Sequence, residues 1–223
     1  VSGDRVDGRE VHQGLRIDCD VVVVGSGPAG SVVAADLSAR GLHVVVVEAG
    51  RWFEPHEFRA STFHSMADNY RDMGASMVVG SAPIPYVQGK MVGGSSPVNG
   101  AICWRLPSDV HGSWVRRDPA LHDALPWDAL ESTTDMVERR LNVAPTDPAV
   151  AGRKNLLLGE GADALGLEHR PIRRNVQNCK GLGRCLQGCP EGNKLSVDRT
   201  FLADALRDGA TVLSSVEATS VLL

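Results

Sequence analysis

The sequence predicts an α/β fold, a parallel sheet with helices packed on it, and three observations carry that prediction. Asp18–Gly50 reads as a strand–helix–strand unit. The glycine pattern Gly25-x-Gly27-x-x-Gly30 sits at its first turn. A further pair of strand-like segments, ATVLSS and SVEATSVLL, closes the chain.

The elements follow in order. DCDVVVV (18–24) is apolar on both faces, as a strand at the centre of a parallel sheet should be. GSGPAG turns the chain, SVVAADLSARG reads as a helix closed by Gly41, and LHVVVVE (42–48) reads as a second buried strand. A helix is expected around residues 61–73, and residues 89–102, GKMVGGSSPVNGAI, read as a glycine-rich loop leading into a helix or extended turn. Trp127, Leu130, Val137 and Leu141 share one helical face, so 127–141 is a helix; the prolines around it, Pro119, Pro126, Pro145 and Pro148, suggest connecting loops. Residues 155–167 form a second candidate helix, interrupted by Gly159 and Gly161, and DRTFLADALRDG reads as a short helix stopping at Gly209.

Composition bounds the function. The 223 residues are 43% hydrophobic and 22% charged, an ordinary globular balance. A net charge of −4 supplies no basic field for nucleic acid or an anionic membrane. The longest apolar runs, Val21–Val24 and Val44–Val47, are far too short to span a bilayer, and the first twenty residues lack a signal peptide's apolar core. The expectation is a cytoplasmic protein. Five cysteines, an odd number, argue against a disulfide framework.

The glycine pattern gains weight from its context, because it follows a strand, opens a helix and precedes a second strand ending in an acid, Glu48. Gly25 permits the tight turn, Gly27 lets the backbone approach a pyrophosphate, and Gly30 lets the helix pack on the strand. The helix start offers N–H groups and a positive dipole to phosphate. Glu48 would accept hydrogen bonds from a ribose, which suits FAD or NAD and disfavours NADP.

A second glycine loop, Gly93-Gly94-Ser95-Ser96-Pro97-Val98-Asn99-Gly100, can fold tightly around a phosphate or flavin edge. With this loop the chain resembles the glucose–methanol–choline (GMC) family of FAD-dependent oxidoreductases. The likeness covers VVVVGSGPAGSVVAADLSARGLHVVVVEAG, GKMVGGSSPVNGAICWR and GCPEGNKLSVDRTFLADALRDGATVLSSVEATSVL, in family order, and is nearest to the bacterial branch that oxidises bulky alcohols and carries a cysteine-rich GCP segment. The resemblance implies a Rossmann-like FAD/NAD(P)-binding domain, truncated before the substrate domain. Its expected parts are a first FAD-binding stretch (15–108), an inserted helical segment with the cysteine-rich turn (109–195), and the FAD-binding domain resumed (196–223). It also implies that Gly25, Ser26, Gly27, Ala29 and Gly30 line the pyrophosphate. Glu48 would hold the ribose, Gly93, Gly94, Ser95 and Asn99 would embrace the flavin and diphosphate, and Val216 would touch the adenine.

The family's catalytic histidine lies in a later motif, and none of the seven histidines here (His12, His43, His56, His64, His111, His122, His169) sits in a matching segment. The expectation is the amino-terminal portion of an enzyme that oxidises a small-molecule alcohol by hydride transfer to FAD, inactive alone, with an electron-acceptor protein as a further partner. A non-catalytic remnant and an NAD-binding module are the alternatives. CKGLGRCLQGCP remains open: Cys179, Cys185 and Cys189 have a spacing that resembles a ferredoxin run with Leu182 in one ligand's place, which would suit an iron–sulfur cluster, while zinc, a disulfide or a tight buried turn would also account for it.

Overall fold

Two runs of four valines set the architecture. β-Branched side chains pack well on a pleated surface, and in the computed structural model, which describes residues 3–222, both runs are parallel strands. β1 spans Arg5–Asp7, β2 Val21–Val24, and α1 (Pro28–Ala39) crosses to β3 (Val44–Val47). Next come α2 (Thr62–Asn69) and a hairpin of β4 (Ser76–Val78) and β5 (Ile84–Tyr86). They are followed by α3 (Ser108–Arg117), α4 (Leu121–Ala124), α5 (Trp127–Arg140), β6 (Val143–Pro145), α6 (Pro148–Ala151), α7 (Arg153–Ala164) and β7 (Arg173–Asn175). The chain closes with α8 (Phe201–Arg207) and β8 (Thr211–Ser214).

These elements form two compact units. One runs to Gly100 and resumes at Leu182; the other is Ala101–Gly181. The expected insert at 109–195 thus overlaps the second unit but has different limits, and the cysteine-rich run is divided between the two.

In the first unit the sheet order is β1-β8-β3-β2, parallel throughout. α1 and α8 pack against it around Ala34, Val44, Val46, Leu202, Ala205 and Val212, none more than 1% exposed. Full burial of a side chain such as Leu202 contributes about 2 kcal/mol. Three expectations are corrected here. β2 is not central but ends the sheet, so Val22 and Val24 are 56% and 64% exposed. They belong to the sheet face away from the main core, where Val6, Leu15, Val22, Val47 and Leu213 line an open apolar groove of about 360 Å³. The polar segment RVD gave no sign of β1, which owes its order to pairing with β8 and to Arg5 stacked 3.9 Å above the Trp52 ring. Conversely SVEATSVLL is not a strand among the described residues. Val216 donates its N–H to the Glu48 carbonyl at 2.9 Å, after which Val221 and Leu222 are exposed; Leu223 lies outside the described residues.

The second unit contains both helices expected there, with α7 running through Gly159 and Gly161. α3 and α4 were missed because prolines suggested loops. Prolines instead mark helix starts: Pro107 and Pro126 are the N-cap residues of α3 and α5, and Pro148 opens α6. β6 and β7 pair antiparallel. Among the described residues no helix is long and apolar enough to cross a membrane.

Candidate functional site: two glycine loops at the start of α1

Parallel pairing of Val24 with Val47 places the turn after β2 beside Glu48, at the carboxyl end of the sheet where α/β folds hold ligands. Glu48 is buried, and its carboxylate is held from two sides. Oε2 accepts from the Ser26 N–H (2.9 Å) and the Ser26 hydroxyl (2.8 Å), and Oε1 accepts from the Gly50 N–H (2.8 Å). A carboxylate offers about four lone-pair positions, so capacity for a further donor remains.

At Gly30 an added Cβ would lie 1.9 Å from the Gly25 carbonyl oxygen, so only glycine lets α1 close on the turn. At Gly25 and Gly27 an added Cβ would meet nothing within 4 Å. These two glycines face open space, as a cradle for a ligand should. α1 begins at Pro28 with no side-chain cap and no acid in its first turn, leaving its positive end, with Ala29 and Gly30, available to an anion.

The second loop folds onto the first. The Gly93 N–H donates to the Ser26 hydroxyl oxygen at 3.0 Å. Gly94 has φ 59°, and a Cβ there would stand 3.0 Å from the Gly27 Cα. Ser95 closes the loop by accepting from the Gly89 N–H at 2.9 Å. Asn99 is exposed, and its carbonyl accepts from Lys194 Nζ at 2.8 Å. The structure therefore gathers Gly25, Ser26, Gly27, Glu48, Gly93 and Gly94 through direct contacts, with Ala29, Gly30 and Ser95 in the same two loops. Val216 joins through its bond to the Glu48 carbonyl.

Several supporting residues escaped the sequence reading. Ser96 donates to the Gly93 carbonyl (2.9 Å) and accepts from the Val197 N–H (3.1 Å), tying the loop to the segment before α8. Lys194 is 2% exposed and also donates to the Cys185 carbonyl at 3.0 Å. Asp198 has an enclosed Oδ1 without a hydrogen-bond partner, and burial pushes its carboxyl above the ordinary range. Long polar side chains in a short polar stretch give no sequence signal that they point inward.

Of the readings left open for the cysteines, the structure gives no support to a metal site. Among the described residues no group of three or more His, Cys, Asp or Glu side chains could hold a metal ion. Cys179 belongs to the second unit, while Cys185 and Cys189 belong to the first. Cys179 Sγ accepts from the Gly181 N–H (3.4 Å) and Cys189 Sγ from the Asn193 N–H (3.3 Å), so both thiols serve the turn itself. All five cysteines are free of disulfides.

Residues 19–223 match the family model described as GMC oxidoreductase. The chain belongs to the GMC oxidoreductase family. Among GMC relatives, an uncharacterized GMC-type oxidoreductase of Mycobacterium tuberculosis is 37% identical over 204 residues, covering 91% of this chain and 32% of that protein. A long-chain-alcohol oxidase of Arabidopsis thaliana is 33% identical over 210 residues, covering 93% of this chain and 27% of the oxidase. The chain thus spans about a third of the length of the curated GMC relatives it matches. Pyridoxine 4-oxidase from Mesorbium loti superimposes with a TM-score of 0.61 at 17% identity, over 89% of this chain and 42% of that one, a likeness of fold.

Proposed function

We propose that this GMC chain is the FAD-binding portion of an oxidoreductase that oxidises the CH–OH group of a small-molecule alcohol. The observation that carries the reading is the backbone contact of Gly94 on Gly27 at the open start of α1, with Glu48 beside it. The residues fit a dinucleotide: Gly25 and Gly27 leave room for a diphosphate, the helix start opposes its charge, and Glu48 accepts from the adenosine ribose. The second loop adds a wall that an NAD site built on the fingerprint alone would not need. When bound, FAD supplies the hydride acceptor. The chain's own residues bind and orient it; its best enclosed histidine, His111, instead contacts the Leu125 carbonyl (2.9 Å) and packs on Trp127. The relatives named as long-chain-alcohol oxidases support an alcohol substrate.

Titrating the refolded chain with FAD, ADP and NAD while following fluorescence tests the proposal. FAD should bind at least tenfold more tightly than NAD, as about 1.4 kcal/mol from the second loop would produce. Tight NAD binding with no flavin uptake would overturn it.

A further inference from the structure

Ser26 occupies a variable place in the glycine pattern, yet it is fully enclosed. Its hydroxyl has one proton, and that proton goes to Glu48 Oε2 at 2.8 Å. Its oxygen accepts from the Gly93 N–H at 3.0 Å. Its own N–H also goes to Glu48 (2.9 Å), and its carbonyl accepts from the Ser31 hydroxyl (2.6 Å). The Ser26 hydroxyl is thus engaged on both sides within the protein. It links the acid at the end of β3 to the amide that begins the second glycine loop.

We propose that Ser26 is a positioning residue that latches the second glycine loop onto the fingerprint, so that the flavin-side half of the cofactor site is preformed before ligand arrives. The latch rests on the FAD reading above only for its effect on affinity. Its mechanical part is a property of the chain alone. Without the hydroxyl the Gly93 N–H is left buried and unpaired, and the loop gains by opening to water. Glu48 keeps the Ser26 and Gly50 amides, so the adenosine end is largely spared.

Hydrogen exchange on the ligand-free chain measures the latch directly, in Ser26→Ala and in Ser26→Thr, which keeps the hydroxyl. In Ser26→Ala the amides of Gly93–Ser96 should exchange about tenfold faster while those of α1 are unchanged. FAD affinity should fall about tenfold and ADP affinity by clearly less, about threefold, because ADP lacks the flavin half and meets the second loop only at its diphosphate. Ser26→Thr, where it folds, should keep the protected loop. Unchanged loop exchange in Ser26→Ala would overturn the proposal. So would faster exchange throughout α1 with FAD and ADP weakened alike, which is the mark of a merely structural residue. If the unaltered chain takes up no FAD, the functional reading fails, and the exchange comparison still decides the latch.

Discussion

The two units bury different chemistry. In the first, the enclosed residues are largely aliphatic, from Ala34 and Val44 to Leu202 and Val212. In the second, Ala101 is the one hydrophobic residue in the buried class among the described residues; its other enclosed side chains are His111, Glu138 and Asn175. Glu138 accepts from Arg105 Nε (3.1 Å) and from Arg173 through both of its oxygens (2.6 and 2.8 Å), and Arg105 also pairs with Asp135. Meanwhile Leu157 and Leu158 of α7 are 50% and 72% exposed. One unit is held by apolar area, which is indifferent to pH. The other leans on a charge cluster, which is not.

That contrast can be broken, and the largest effect is expected where the first unit departs from its own rule. Glu48→Ala would orphan three buried donors, the two on Ser26 and the Gly50 amide, at a cost of about 4 kcal/mol. Urea unfolding should show it, and FAD binding should be lost; a stable Glu48→Ala chain would show that the node contributes little. Leu202→Ala should cost about 3 kcal/mol by leaving a cavity, and the loss should be the same at every pH.

Glu138→Gln should cost the second unit about 2 kcal/mol at neutral pH. Arg105 first, and then Arg173, hold the Glu138 carboxyl below its ordinary value of 4.5. Its stabilisation is therefore complete above that value and lost as pH falls through the native one. Acid melts should show wild type and variant converging. Parallel curves would deny the cluster its role. The smallest effect is expected at Asp198, whose native value is raised by burial above 3.8. Stability tied to that raised value is present at low pH and lost as pH rises through it, so Asp198→Asn should match wild type in acid and exceed it toward alkaline pH. A variant less stable at both would contradict this.

The sequence made the βαβ unit, both glycine loops and Glu48 legible because each needs a residue type that little else explains: glycine at a close approach, an acid at a strand end. It misplaced β2, because four valines look alike whether a neighbouring strand covers them or not. It missed β1 because three residues of RVD have no pattern, only a partner 207 residues away in β8. It gave no sign of the Ser26 bonds to Glu48 and Gly93, since adjacency to a glycine does not reveal which way a hydroxyl turns. The cysteine spacing left a cluster and a tight turn both open, since spacing says nothing about the units the cysteines fall in.

The turn that holds Cys185 and Cys189 is gripped at three successive backbone carbonyls. Tyr70 reaches the Leu186 carbonyl (2.5 Å), Asn69 the Gln187 carbonyl (3.1 Å), and Lys194 the Cys185 carbonyl (3.0 Å). Leu186 itself is 59% exposed. Surroundings that grasp carbonyl oxygens are blind to side-chain identity; they read the path and not the letters. At Leu186 the side chain can be exchanged freely while Gly188 and Pro190 keep the course, and the turn still offers the same oxygen to the lysine that braces Asn99 beside the second glycine loop.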